Sequence, residues 1–336
     1  MNYTLADRTI RDRSKESNGD AACHVELADG GWIAALVADG VGQCPCDWLA
    51  SQTAAERFVA LAQASPALLR DPASGLKNML EQIDREIHAT TGHGSRMKCA
   101  AVAVLWERDT DRAWFANIGD TRLYGIDQMS CAQISADDSQ AVVRRGPDGK
   151  PLVSGGMVVV QRGITNALGS GAATVNALPC VLVPGAALVL ASDGFYDCSS
   201  EFPADIVKAW SHGDMEDALA MLAIDYGERN KDDATVLVLR RAFPLVSRTQ
   251  VEEVIAGRAN PAIPIHAIAA AISEGLTELV ANGAVRTTNE WLDFLDRSGL
   301  VLGRRRAEAL LKQMTAMRWT DPHSFSALVA MIRQQT

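Results

Sequence analysis

The chain has 336 residues, of which 48% are hydrophobic and 22% are charged. The length excludes a single small module, and the composition is typical of globular proteins rather than of disordered or collagen-like chains. The formal net charge of -9, from 32 Lys and Arg against 41 Asp and Glu, argues against a protein that wraps phosphate backbones with a basic face.

The first part of the chain predicts an antiparallel hairpin followed by two helices. Two strand-like apolar runs within residues 22–38 flank Asp29-Gly30-Gly31, which is typical of a tight hairpin turn. In residues 46–64 and 72–89 the apolar side chains recur at helical spacing. Alternating or continuous apolar runs then predict a meander of strands at 99–106, 112–118 and 121–126.

Residues 137–156 are polar and rich in Gly, Pro and Arg, which predicts an exposed excursion. After it, the pattern predicts strands near 157–161, 173–178, 186–191 and 235–240, with helices near 204–210 and 214–226. Because strands group with strands and helices with helices, we expect an α+β domain of two antiparallel β-sheets packed as a sandwich, not a doubly wound parallel sheet.

After residue 241 the strand patterns stop and Ala-, Leu- and charge-rich helical patterns follow. We therefore predict two domains, 1–242 and an all-α C-terminal domain, 243–336. Arg304-Arg305-Arg306 leaves open a nucleic-acid contact by this domain, but its charge balance is near neutral. We favour docking of a protein partner, or packing against the first domain, as its role.

Acidic residues stand where several of the predicted strands end, usually beside glycine. In an antiparallel sandwich such ends converge at one edge, and carboxylates that meet there repel one another unless a cation compensates them. Oxygen ligands without His or Cys favour Mg²⁺ or Mn²⁺ over softer metals. The acids in question are Asp20, Asp39, Asp120, Asp193 and Asp232.

The order and intervals of these acids resemble those of the type 2C metal-dependent protein phosphatases, the PPM family, which remove phosphate from Ser and Thr. The resemblance covers about residues 10–241, and its Asp-Gly-Val-Gly sequence is similar to that of compact bacterial members. It depends on six short sequences: Asn18-Gly19-Asp20, Asp39-Gly40-Val41-Gly42, Gly119-Asp120-Thr121-Arg122, Ile164-Thr165-Asn166-Ala167-Leu168-Gly169, Ser192-Asp193-Gly194-Phe195-Tyr196-Asp197, and Asp232-Asp233-Ala234-Thr235.

The resemblance implies a four-layer αββα fold and a role for each acid. Asp39 would bridge two metal ions with the help of the Gly40 carbonyl, Asp20 would complete one site, and Asp193 and Asp232 the other. Asp120 corresponds to the acid that helps to hold a third, weaker ion. A hydroxide shared by two Mg²⁺ or Mn²⁺ ions would attack phosphorus without a covalent intermediate.

Lys15 stands where relatives carry an Arg for the substrate phosphate, and we assign it that role, with a solvated surface lysine as the alternative. Arg144 and Arg145, in the excursion, are candidates for contacts with a phosphorylated partner. Gly19 replaces the Glu or Gln of most relatives, and Val41 replaces the His of many eukaryotic members. Because Gly19 and Lys15 depart from the pattern, a catalytically silent regulator that binds a phosphoprotein stays open as the alternative function.

No apolar run reaches the roughly 20 residues that span a bilayer, and the N-terminus lacks the apolar region of a signal peptide. We therefore expect a cytoplasmic location, and the resemblance implies a signalling enzyme that reverses a Ser/Thr kinase. The seven cysteines do not form the pattern of a disulfide framework. Cys44-Pro45-Cys46 could hold a soft metal or oxidise, although reduced thiols are the interpretation we favour.

Overall fold

A computed structural model describes residues 3–241, apart from 29, 43, 45, 91–96, 109, 127–130, 156, 184–185, 200–201, 203–204, 207–214, 228 and 230–231. The predicted C-terminal helical domain and most of the predicted helix at 204–210 lie outside the described residues. Within them, Thr4–Arg240 form one compact unit. No helix in the described ranges has the length and apolar character needed to span a membrane.

The described strands are, in chain order, β1 Tyr3–Ile10, β2 Asp20–Leu27, β3 Trp32–Gly40, β4 Cys99–Glu107, β5 Arg112–Ile118, β6 Arg122–Ile126, β7 Cys131–Gln133, β8 Ser139–Val143, β9 Val153–Ser154, β10 Met157–Val158, β11 Val160–Ile164, β12 Ala177–Val181, β13 Ala187–Ala191 and β14 Ala234–Arg241. The described helices are α1 Asp47–Ala64, α2 Pro66–Arg70, α3 Pro72–Ala89, α4 Asp193–Tyr196 and α5 Met215–Gly227.

Two five-stranded sheets form the centre of the fold. The first has the order β1-β14-β13-β6-β7, and the second has the order β12-β5-β4-β3-β2. Strand β13 pairs antiparallel with β14 and β6, and β6 with β7; in the second sheet, all neighbouring strands pair antiparallel. Strand β13 lies against β3 and β4, so the sheets pack face to face. The long buried runs of β3 and β4 follow from this arrangement, because both faces of these strands are covered.

Helices cover the outer face of each sheet. Helices α1 and α3 share a hydrophobic core with the second sheet. Aromatic residues of α4 and α5 pack with the first sheet, where the Phe195 and Tyr226 rings lie 4.9 Å apart. Helix α3 begins where Asp71 accepts a hydrogen bond from the Ser74 amide, with Pro72 in the first turn. The predicted α+β sandwich with flanking helices is therefore confirmed.

The excursion after β7 contains two small hairpins, which we call the flap (residues 139–164). Strand β8 pairs with β11, and β9 pairs with β10. Residues 144, 145 and 147–150 are exposed, as the polar sequence predicts. The apolar side chain of Met157, in the predicted strand that follows, is also 74% exposed. The predicted strand at 173–178 begins later, as β12 at Ala177.

Candidate metal centre

Strand pairing brings the ends that carry the five acids together. In the second sheet, Asp20 at the start of β2 pairs directly with Asp39 near the end of β3. In the first sheet, Ala191 at the end of β13 lies opposite both Val236 of β14 and Arg122 of β6. Along the chain, Asp193 follows Ala191, Asp232 precedes Val236 and Asp120 precedes Arg122. The acids therefore meet at one edge of the sandwich, as the sequence predicts.

Ser192 and Thr235 connect this edge across the two sheets. The Ser192 hydroxyl donates to Asp20 Oδ2 at 2.7 Å and accepts from the Thr235 amide at 2.8 Å. Asp20 Oδ1, in contrast, is buried and has no hydrogen-bond partner among the described residues. Leaving such an oxygen unpaired is costly in a low-dielectric site. One carboxylate oxygen is thus held in place while the other is left available to a ligand.

Burial and mutual repulsion raise the pKa values of several of the acids. Burial, together with the carboxylates around it, raises the pKa of Asp39 well above its ordinary range, although part of the residue surface is still reached by solvent. Burial is also the main cause that raises the pKa of Asp20 to about 7 and that of Asp193 to about 6, with further repulsion from neighbouring acids. The Asp39 and Asp193 carboxyl groups are close enough for each to affect the pKa of the other. Two ionised carboxylates at such a range repel one another unless a proton or a cation lies between them.

Two glycines allow the backbone to come close at this edge. A Cβ on Gly40 would lie 2.6 Å from the Asp47 carbonyl oxygen and 2.8 Å from that of Gly19. A Cβ on Gly194 would lie only 1.9 Å from the Asp233 carbonyl oxygen. Real Cβ atoms do not approach that closely, so each Asp-Gly pair reflects tight packing around its acid as well as turn geometry.

Asp120 is buried beside a cation that the sequence analysis did not single out. Arg162 of β11 lies 3.8 Å from Asp120 Oδ2 and donates to the Tyr196 hydroxyl at 2.7 Å. Tyr196 in turn donates to the Asp120 carbonyl oxygen at 2.6 Å. Burial raises the pKa of Asp120, and the positive charge of Arg162 opposes that rise. Arg162 thereby connects the flap to the predicted third metal position.

Lys15 lies at the predicted metal ligand Asp232. Its ammonium is 2.5 Å from Asp232 Oδ1 and 2.8 Å from Asp233 Oδ2. Although burial opposes the charged form, hydrogen bonds to the two carboxylates hold the pKa of Lys15 above its ordinary value. Asp233, which the sequence analysis did not assign, is buried and contacts the loop that carries Lys15.

Arg144 and Arg145, the flap arginines predicted to contact a phosphorylated partner, are exposed. The Arg145 guanidinium donates to the Gly149 carbonyl oxygen at 2.8 Å, within its own hairpin, and the Arg144 amide donates to the Val159 carbonyl oxygen. The flap arginine that contacts the acids is Arg162. The sequence pattern does not reveal this contact, because it depends on how folding places β11 beside Asp120 and Tyr196.

The donor set fits hard divalent cations, which prefer carboxylate and carbonyl oxygens. The unpaired Asp20 Oδ1 and the raised pKa of Asp39 are the features that a cation would relieve. In the described ranges, no three His, Cys, Asp or Glu side chains are arranged to ligate one ion together. Mg²⁺ keeps several waters and is commonly bound through one or two carboxylates, so the remaining acids at this edge would reach an ion through water or after a side-chain movement.

Comparison with solved structures supports the fold. A bacterial serine phosphatase matches with a TM-score of 0.59 and 20% identity, over 73% of this chain and 100% of that one. Stp1 from Staphylococcus aureus matches with a TM-score of 0.55 and 18% identity, over 71% and 95%. The catalytic domain of the phosphatase PstP, solved with two manganese ions, matches with a TM-score of 0.52 and 20% identity, over 71% and 97%. A search of curated protein sequences gives no significant match.

The match to a sequence family identifies the chain more specifically than these structural similarities. The family model described as "Protein phosphatase 2C" matches residues 11–222, which is more than half of the chain and contains four of the five acids. The fifth, Asp232, follows shortly after the matched range. The chain therefore belongs to the protein phosphatase 2C family of metal-dependent Ser/Thr phosphatases.

Proposed function

We propose that the chain hydrolyses phosphoserine and phosphothreonine in proteins with two Mg²⁺ or Mn²⁺ ions at the edge described above. The observation that carries this proposal is the meeting of Asp39 with Asp20, Asp193 and Asp232, where burial and then these carboxylates raise the pKa of Asp39 well above its ordinary range. Four acids held this closely need positive charge between them. Divalent cations supply that charge and also suit the oxygen donors.

Each residue has a role in holding the ions. Asp39 would ligate both ions with the Gly40 carbonyl, Asp20 would complete one site, and Asp193 and Asp232 the other. Asp120 would hold a third, weaker ion. When bound, two such ions would supply a water of lowered pKa as the nucleophile for phosphorus.

Residues around the acids orient them for this reaction. Ser192 fixes one oxygen of Asp20 through the hydrogen bond at 2.7 Å, which leaves the other oxygen to face an ion. Lys15 provides a positive charge for the substrate phosphate, where phosphoryl transfer depends on charge compensation. A lysine does this as a point charge, without the bidentate geometry of an arginine.

A cysteine nucleophile has no support near the acids. Cys99 pairs with Gly40 across β3 and β4, and burial raises its pKa far above the ordinary value. Burial also raises the pKa of Cys44, which lies just after the Asp39-Gly40 turn. Since the thiolate is the reactive form, both side chains are poor nucleophiles. This agrees with direct attack by water and with the absence of a covalent intermediate from the proposed reaction.

The proposal also covers the phosphoprotein substrate, the C-terminal residues and the cellular role. Exposed Arg144 and Arg145 place positive charge on the flap, where they would contact a phosphoprotein produced by a Ser/Thr kinase. We assign residues 243–336 to a separate helical domain that docks a protein partner. A cytoplasmic signalling role belongs to the same proposal.

The test is phosphate release from phosphoserine and phosphothreonine peptides, with and without millimolar Mn²⁺, a range suited to weak sites of order 10⁻³ M. We expect release that requires the metal, disappears in Asp39→Asn and persists in Asp225→Asn. The latter removes an exposed carboxylate of α5, a helix on the outer face of the first sheet. Tight binding of phosphopeptide without any release would instead support the silent regulator.

A further inference from the structure

The ammonium of Lys15 contacts Asp232, which the proposed function assigns as a metal ligand. It lies 2.5 Å from Asp232 Oδ1 and 2.8 Å from Asp233 Oδ2, and 29% of its side chain is exposed. Asp232 Oδ1 also accepts a hydrogen bond from the Asp233 amide at 2.9 Å. One oxygen of the expected metal ligand is therefore already engaged by two donors, one of which carries a full positive charge.

Asp233 is what holds Lys15 there. Its side chain is 1% exposed, and its Oδ1 accepts from the Asp12 amide at 2.7 Å. Its Oδ2 accepts from the Gly19 amide at 2.7 Å as well as from Lys15. All three donors belong to residues 12–19, the loop that leads into Asp20. A buried carboxylate that accepts three hydrogen bonds from one loop fixes the path of that loop.

Gly19 fits the same arrangement. A Cβ at this position would lie 3.0 Å from Asp233 Oδ2 and 3.6 Å from Asp47 Oδ2. The longer acidic or amide side chain of most relatives would have to pass between these two carboxylates. Gly19, Asp233 and Lys15 are therefore matched to one another, and Gly19 is not an isolated loss of a metal contact.

A cation at Asp232 and the ammonium of Lys15 cannot share this position without repulsion. Two positive groups a few ångströms apart repel each other even in water, and more strongly in a partly buried site. The ammonium has three donors, so it can leave Asp232 and keep its contact with Asp233. In that state, a donor becomes available on the side of the acids where the substrate phosphate is expected.

We propose that Lys15 is a resident cation of the metal site, anchored by Asp233, and that metal binding at Asp232 releases it toward the substrate phosphate. Metal loading and phosphate binding are then coupled through one side chain, and Asp233 is the positioning residue for that coupling. This inference rests on the proposed function, because it assumes that Asp232 ligates a metal ion.

The experiment measures binding without turnover. Mn²⁺ affinity is determined by electron paramagnetic resonance of free Mn²⁺, and the affinity for inorganic phosphate is determined at saturating Mn²⁺ by calorimetry. For Lys15→Met we expect Mn²⁺ to bind about tenfold more tightly, because the competing charge is gone, and phosphate to bind about tenfold more weakly. Lys15→Arg keeps the charge, so its Mn²⁺ affinity should stay close to that of the wild type.

A merely structural role for Lys15 would weaken both affinities or change neither, so the opposite signs are diagnostic. If Lys15→Met does not fold, the same comparison is made between Asp233→Asn and the double variant Lys15→Met/Asp233→Asn, in which the buried position is neutral. Equal Mn²⁺ affinity with and without Lys15, in a protein that binds Mn²⁺, would overturn the inference alone. A wild-type protein that binds no Mn²⁺ would overturn the proposed function as well.

Discussion

The stability of the metal-free protein should fall as the pH is raised from about 4 to about 7, the window between the ordinary and the folded-state pKa values of the buried acids. Asp20, with a pKa of about 7, and Asp193, with a pKa of about 6, keep protons in the folded state that the unfolded chain has already released. The pKa of Asp39 is raised in the same direction. Because the folded state then binds more protons than the unfolded state, the free energy of unfolding decreases as protons become scarce.

The size of the effect follows from the pKa of Asp20. A rise from 3.8 to about 7, at about 1.4 kcal/mol per unit, corresponds to roughly 4 kcal/mol for this group. That is a large fraction of the 5–15 kcal/mol by which a typical domain is stable. Mn²⁺ should reverse the loss, because an ion that binds the folded state alone stabilises it by mass action.

The assay is urea unfolding followed by circular dichroism at several pH values, with a chelator and then with excess Mn²⁺. Asp39→Asn provides the comparison, since an amide cannot ionise and the repulsion on its neighbours is smaller. We expect its stability in chelator to depend less steeply on pH than that of the wild type. A wild-type stability that is flat or rises between pH 4 and 7 in chelator would refute the reasoning.

Three further substitutions test the surroundings of the acids. Ser192→Ala removes the donor to Asp20 and should lower the free energy of unfolding by about 2 kcal/mol, with weaker Mn²⁺ binding in the same sample. Arg162→Ala removes the charge 3.8 Å from Asp120, so more Mn²⁺ should bind per chain at a fixed Mn²⁺ concentration; unchanged stoichiometry would argue against a third ion there. Asp84→Asn should cost about 2 kcal/mol in a thermal unfolding experiment, because this buried carboxylate accepts three backbone amides of the loop 169–173.

The meeting of the acids and the layers of the fold could be predicted from local sequence patterns. The turn around Gly30 aligns β2 with β3, and the register of that hairpin alone places Asp20 opposite Asp39. Helix α3 coincides with the predicted range because its apolar spacing, its N-cap and its early proline agree. The spacing of apolar residues and the residue preferences of caps and turns are local properties, so both can be recognised in a single sequence.

The remaining features depend on contacts between distant parts of the chain. Strand β1 is an edge strand in which only Ala6 is buried, so its sequence lacks the apolar alternation that marks a strand. Arg162 reaches Asp120 only after the flap has folded, and its sequence neighbours do not distinguish it from an exposed arginine. Asp233 shares its motif with Asp232, and only the pairing of residues 12–19 with the start of β14 makes one of them buried and the other exposed.

The central claim is that two divalent ions lie among the five acids. Its most direct test is a crystal structure of the full chain grown with Mn²⁺, with an anomalous difference map recorded near the manganese absorption edge. We predict two strong peaks between Asp39 and the acids Asp20, Asp193 and Asp232, with a weaker peak beside Asp120. A map with no peak at this edge of the sandwich, at an Mn²⁺ concentration that supports phosphate release, would contradict the account.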